Sequence, residues 1–150
     1  TVERTYPQFS PDGKELAFIE DRNRLMVLNL DTKKVRQVTD GSTWYSTGGG
    51  FDYSWSPDGK WFTLEFIGNR HDPYSDIGLV SAQGDSPIVN LTNSGYTSGS
   101  PRFVLDGNAI LFTTERYGMR AHASWGSQDD AMLVFLNQDA YDKFCLSKEL

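Results

Sequence analysis

Phe51-Asp52-Tyr53-Ser54-Trp55-Ser56-Pro57-Asp58-Gly59-Lys60-Trp61-Phe62-Thr63-Leu64-Glu65-Phe66 is the stretch whose reading decides the fold. It reads as strand, tight turn, strand. Pro57 presets φ for the first corner of a type I turn, and Asp58 suits the second. Gly59 supplies the positive φ that lets the returning strand leave in register. Alone, the stretch predicts one hairpin, but it recurs. Phe9-Ser10-Pro11-Asp12-Gly13-Lys14 precedes it and Phe103-Val104-Leu105-Asp106-Gly107-Asn108 follows it. The anchoring glycines, Gly13, Gly59 and Gly107, stand 46 and then 48 residues apart. Repeats of roughly 40–50 residues with several strands each point to propeller blades.

Outward from each turn, the pattern continues. Second strands are expected at Leu16-Ala17-Phe18-Ile19, at Phe62 to Ile67 and at Ala109-Ile110-Leu111-Phe112. Third strands follow at Leu25-Met26-Val27-Leu28, Ile77-Gly78-Leu79-Val80 and Met132-Leu133-Val134-Phe135-Leu136. These runs are almost continuously apolar, so both faces of each sheet should be buried, as in a sheet stacked between two others. Fourth strands are expected at Val35-Arg36-Gln37-Val38-Thr39 and Ile88-Val89-Asn90-Leu91-Thr92. They are more polar, as outer edges should be. The competing fold is an ordinary antiparallel sandwich; the joint recurrence of strand order and turn type favours blades.

The expected fold class is therefore all-β, with about three four-stranded antiparallel blades and a short C-terminal helix. The blades are expected over about 6–41, 51–95 and 99–137, with a helical tail over 138–150. In that tail Asn137 or Asp139 is the candidate cap, and Tyr141, Phe144 and Cys145 share one face. At roughly 45 residues per blade, 150 residues make about three blades, fewer than the four to eight that close a ring. A part of a larger protein, or half of an assembled ring, is expected. Open sheet faces also predict self-association of the isolated segment.

Composition excludes some functions. The net charge of −6 argues against a general nucleic-acid surface. No apolar run approaches a membrane span. The single Cys145 forms no internal disulfide. No nucleophile elbow, Gly-rich phosphate loop or calcium-loop spacing is present, so no catalytic residue, metal site or cofactor is expected. Asn90-Leu91-Thr92 matches a glycosylation acceptor as well as a strand. Gly48-Gly49-Gly50 is either a flexible joint or a close backbone approach.

Strand parity gives a candidate site. In up-and-down blades the Asp-Gly turns lie at one end. The second-to-third loops and the inter-blade connectors lie at the other. That second end gathers Trp44, Tyr45, Arg70, His71, Tyr96, Arg116, Tyr117, Arg120, His122 and Trp125. Arg and aromatic side chains form binding hot spots, and loops inserted on one face of a repeat array mark a binding face. These ten residues are the candidate peptide- or partner-binding set; the competing reading is that they cover a rim or pack on a neighbouring domain.

Ser10-Pro11-Asp12-Gly13-Lys14-Glu15-Leu16-Ala17-Phe18 and Trp55-Ser56-Pro57-Asp58-Gly59-Lys60 resemble the TolB propeller repeat, which also occurs in prolyl-oligopeptidase-type and tricorn-type peptidases. Gly99 to Arg120, the following Ser124-Trp125-Gly126-Ser127-Gln128-Asp129-Asp130 and the helical tail resemble the first propeller of tricorn-like serine peptidases. The resemblance implies a large peptidase whose propeller guides or filters peptides towards a PDZ and catalytic core carried on other domains of the parent chain. It favours a periplasmic or cell-envelope location, with the cytoplasm as the alternative. The alternatives are a TolB-like interaction propeller of the cell envelope and an accessory propeller over an α/β-hydrolase domain.

Overall fold

A computed structural model describes residues 2–45, 49–68, 72–118 and 127–146. The first sheet runs β1 (Arg4–Phe9), β2 (Glu15–Glu20), β3 (Arg24–Asn29) and β4 (Val35–Gln37), hydrogen-bonded in that order. The second repeats the scheme with β5 (Tyr53–Trp55), β6 (Trp61–Phe66), β7 (Asp76–Ser81) and β8 (Val89–Asn90). The third holds β9 (Ser98–Val104), β10 (Ala109–Thr114) and β11 (Asp130–Phe135), three strands among the described residues where four are expected, because the chain leaves β11 into α1 (Gln138–Leu146) instead of an outer strand. Every pairing is antiparallel between chain neighbours.

Why Ser-Pro-Asp-Gly-Lys makes the corner is visible in its hydrogen bonds. Ser10 Oγ donates to Asp12 Oδ1 at 2.7 Å, and the same oxygen accepts from Lys14 N at 3.0 Å. Ser10 Oγ in turn accepts from Glu15 N at 3.0 Å. In the second sheet Ser56, Asp58, Lys60 and Trp61 reproduce the set at 2.5, 3.0 and 3.0 Å. Two of the three bonds at each corner satisfy main-chain N–H donors that the tight turn would otherwise leave free, and the hydroxyl-to-carboxylate bond fixes the two acceptors in place. The same bonds hold the Asp12 and Asp58 carboxyls below their ordinary range, the serine hydroxyl being the largest cause.

The third corner stands in the same place but has a different backbone. Leu105 and Asp106 take φ of 51° and 54° inside a 3-10 turn. Leu105 occupies the position of Pro57, and without the ring nothing holds φ negative there. The three corners stack: a methyl on Gly59 would lie 3.8 Å from Pro11 Cδ, and one on Gly107 would lie 3.2 Å from Pro57 Cδ.

Two cores join the sheets. Ala17, Ile19, Leu25 and Val27 of the first sheet pack on Tyr53, Trp55, Phe62, Leu64 and Val80 of the second. Ile77 and Leu79 of the second pack with Ile110, Phe112 and Met132 of the third. Burial on both faces thus holds for the middle sheet, where the consecutive Phe62, Thr63 and Leu64 are all buried. In the outer sheets it holds for the inner strands alone, as at the consecutive Ala17, Phe18 and Ile19 of β2, and fails towards their edges. Phe9 is 66% exposed and Val35 49% exposed on the free face of the first sheet, and β11 contains no buried residue.

The fourth strands are shorter than the sequence suggests. Beyond β4, Val38 N donates to Leu25 O at 2.8 Å, and Leu25 N donates to Thr39 Oγ1 at 2.9 Å. Beyond β8, Leu91 N reaches Ile77 O at 2.8 Å, and Ile77 N reaches Thr92 Oγ1 at 3.1 Å. A threonine hydroxyl replaces the next carbonyl of the ladder, so the regular strand ends there. Arg36 ties the first two sheets together. It forms a two-pronged pair with Glu15 at 2.5 and 2.7 Å and donates Nε to Ala82 O at 2.8 Å.

Residues 147–150 of the expected tail lie outside the described residues, and Gln138–Leu146 is helical as expected. Asn137 Oδ1 caps it by accepting Ala140 N at 2.9 Å, and Tyr141 and Phe144 lie 5.4 and 5.3 Å from the Phe135 ring. At Gly50 the close-approach reading is the one observed. Its φ is 100°, and a methyl there would lie 2.9 Å from the Tyr6 ring.

Candidate functional site

The connectors and the second-to-third loops meet at the end opposite the corners. Thr43 O, in the first connector, accepts Ile67 N at 2.8 Å, in the loop after β6. Tyr45 donates its hydroxyl to Pro73 O at 3.0 Å, binding the same connector to the same loop. The second connector is held likewise. Ser98 N donates to Ser75 O at 2.9 Å and Ser75 Oγ returns a bond to Ser98 O at 2.8 Å. Thr97 O accepts Glu115 N at 3.1 Å from the loop after β10.

Buried behind this surface, Asp76 organises the middle sheet's contribution. It accepts Thr92 Oγ1 at 2.6 Å, Ser94 N at 3.1 Å and Asn90 Nδ2 at 2.9 Å. Asn90 Oδ1 also accepts Thr92 N and Asn93 N, at 3.1 and 2.8 Å. The Asn90 carboxamide is therefore engaged at both ends, which argues against its use as a glycosylation acceptor. The sequence reading missed this cage. Its signal is a threonine two residues after the fourth strand in both sheets, Thr39 and Thr92.

Of the ten candidate residues, five are described. Trp44 packs 5.1 Å from the Tyr45 ring and 5.7 Å from Phe51, and its buried Nε1 has no hydrogen-bond acceptor among the described residues. Burial, with the Asp72 charge second, pushes the Tyr45 hydroxyl up. Tyr96 follows Ser94, whose Oγ accepts Tyr96 N at 3.3 Å. Arg116 lies over the Tyr117 ring at 5.6 Å, and Tyr117 is 71% exposed. The structure thus gathers Trp44 and Tyr45 with Pro73 on one side, and Tyr96 with the Arg116–Tyr117 loop on the other. Arg70, His71, Arg120, His122 and Trp125 lie outside the described residues.

Among the described residues no group of three His, Cys, Asp or Glu side chains is placed to hold a metal. No helix among them is long and apolar enough to cross a membrane.

No family model matches the chain. A tricorn protease homolog of Saccharolobus solfataricus is 26% identical over 108 residues, 72% of this chain and 9% of that protein. The crystal structure of the tricorn protease superposes with a TM-score of 0.66 at 15% identity, covering 89% of this chain and 14% of that one. The chain is similar to a β-propeller segment of a tricorn-like peptidase. The segment also matches an uncharacterized peptidase of Bacillus subtilis, YuxL, at 31% identity over 121 residues, 75% of this chain and 17% of that protein. It thus spans less than a fifth of the length of either relative. At 15% identity the structural likeness speaks for the fold: antiparallel sheets laid side by side, as in the tricorn protease.

Proposed function

We propose that this chain is a non-catalytic β-propeller portion of a tricorn-like peptidase, with blades over about 6–41, 51–95 and 99–137 and a helical tail over 138–150. Its loop end guides peptides or contacts other domains of the parent chain. The observation that carries this reading is the convergence at that end. Tyr45, Tyr96, Arg116 and Tyr117 are delivered there by connectors and loops that hydrogen-bond one another, and Tyr117 stands out in solvent. Exposed aromatic and Arg side chains on a rigid scaffold are the composition of a recognition surface. Serine-peptidase chemistry belongs, in this reading, to domains beyond these residues.

The test is peptide binding by fluorescence anisotropy with mixed-sequence peptides. Alanine at Arg70, Arg116 and Arg120 together is expected to weaken binding by about tenfold or more, the loss of one to two charge-assisted bonds. Unchanged affinity removes the proposed surface. Peptide cleavage by the purified chain that survives repurification removes the non-catalytic assignment.

A further inference from the structure

The first strands β1, β5 and β9, with Asp52 of the connector before β5, border one open cavity of about 350 Å³. Its polar lining comes from Gln8, Asp52, Ser54, Ser100 and Arg102, contributed by all three sheets. The site is built rather than incidental. Glu65, half-buried behind it on β6, accepts Asp52 N at 3.1 Å with one carboxylate oxygen and Ser100 N at 2.8 Å with the other. Ser100 then donates Oγ to Asp52 Oδ2 at 3.1 Å.

Ser100 sits on a bulge of β9 that has a counterpart in β1, where Tyr6 takes a φ of 52° before Pro7 and the β1–β2 register shifts. Ser100 takes a φ of 51°, and the β9–β10 register shifts nearby. Gly99 beside it leaves room for the carboxylate, because a methyl there would lie 2.5 Å from Glu65 Oε1 and would have to displace it. The bulge therefore belongs to the repeat; what is particular to β9 is the residue it carries, a serine whose N–H and hydroxyl meet Glu65 and Asp52.

Asp52 and Arg102 are both exposed, and among the described residues neither has an ion-pair partner. They carry opposite charges on the wall of one cavity, between hydroxyl and carboxamide groups. A peptide main chain matches this lining: it offers an amine, carbonyl oxygens and N–H donors along a few ångströms. The volume falls in the range of small-ligand sites.

We propose that this cavity binds an extended peptide segment, with a positively charged amine at Asp52 and a carbonyl or carboxylate oxygen at Arg102. The proposal rests on the peptide-guiding reading and deepens it by naming the peptide groups recognised and adding a second contact on the first strands. The amine is an N-terminus or a lysine side chain, and the test separates the two.

The experiment is fluorescence anisotropy with a C-terminally labelled Gly-Ala-Gly-Ala peptide, in free, N-acetylated, and N-acetylated lysine-containing forms. The intact chain is expected to bind the amine-bearing forms about tenfold tighter than the acetylated lysine-free form, one charge-assisted hydrogen bond's worth. Asp52→Asn is expected to erase that preference. Arg102→Ala, at an exposed position, is expected to weaken all three forms several-fold. A preference for the free form alone assigns the N-terminus, and one for the lysine form as well assigns amines generally. Absence of any amine preference in the intact chain, or its persistence in Asp52→Asn, overturns the proposal. The Arg70, Arg116 and Arg120 triple variant keeps the two readings apart. If it loses binding while Asp52→Asn does not, the cavity is wrong and the loop end stands; the reverse result rejects the loop end and keeps the cavity.

Discussion

Replacing Phe62 by alanine tests the face-to-face packing of the first two sheets. Phe62 is wholly buried, with its ring 4.1 Å from Trp55 and 5.8 Å from Tyr53, among the first sheet's Ala17, Ile19, Leu25 and Val27. Truncating such a side chain removes its transfer free energy and leaves a cavity that the surrounding rings refill only in part. The expected loss is about 3–5 kcal/mol. Against a total of about 5–15 kcal/mol for a domain, that is a large fraction of stability. The control is Trp61→Ala, one residue earlier. Trp61 points to the other side of β6, is 41% exposed, and is expected to cost about 1 kcal/mol. The assay is urea unfolding followed by far-UV circular dichroism. Phe62→Ala should lower the midpoint by roughly 2 M at an unchanged slope of about 2 kcal/mol per M, and Trp61→Ala by a quarter of that. Equal shifts for the two variants would refute the assignment of sheet faces.

Acid titration carries two opposite signatures. Asp12 and Asp58 are held below their ordinary value of 3.8 by their corner serines, so the stability they contribute is present above that pH and disappears as pH falls through their folded values. Ser10→Ala with Ser56→Ala should flatten the stability profile below about pH 4, and an unchanged profile counts against the corner network. Glu65 is raised above 4.5 by burial, so stability falls as pH climbs from that value through its folded one, and Glu65→Gln should remove that slope. Gly84→Ala should destabilise strongly. Its methyl would stand 2.1 Å from Gln37 O at a φ of 73°, whereas Gly13→Ala, in open space, should cost only the backbone strain of about 1 kcal/mol. Comparable melting-temperature losses for the two would show that the turn after β7 does not press on β4.

What was legible in the sequence was what is local. Ser56, Asp58 and Lys60 bond within five residues of one another, so their residue types alone determine the corner. The third corner kept Asp106 and Gly107 and was found in the right place, but its left-handed path depends on the absence of a proline and could not be read from Asp-Gly. Contacts between sheets were not legible. Glu65 and Ser100 are 35 residues apart, and Arg36 and Ala82 are 46 apart. Nothing in either local sequence announces the partner. The fourth strands were overextended for a related reason. Val38-Thr39 and Leu91-Thr92 have strand composition, yet a threonine side chain takes over the ladder there. The loop end was legible by parity, since strand alternation dictates which loops share an end. The cavity was not, because Asp52, Ser100 and Arg102 each look like ordinary residues of an edge strand.

The distribution of satisfied and unspent polar groups separates framework from function. At the first two corners Ser10, Asp12, Ser56 and Asp58 have all found partners inside the turn, and Arg36 has used both prongs on Glu15 and its Nε on Ala82. Such groups have little left to offer a ligand, however exposed the carboxylates are. Elsewhere the accounting differs. Among the described residues, Arg102 and Asp52 face a shared cavity without an ion pair, Arg116 lies over a ring that is itself open to solvent, and Trp44 keeps a buried N–H with no acceptor. The Trp44 N–H is the costly one, since an unpartnered buried donor costs about 1–3 kcal/mol, whereas the exposed charges are solvated and stay free to meet a ligand. Their concentration at the inner strands and the loop end, and not at the corners, is the physical reason to seek peptide recognition there.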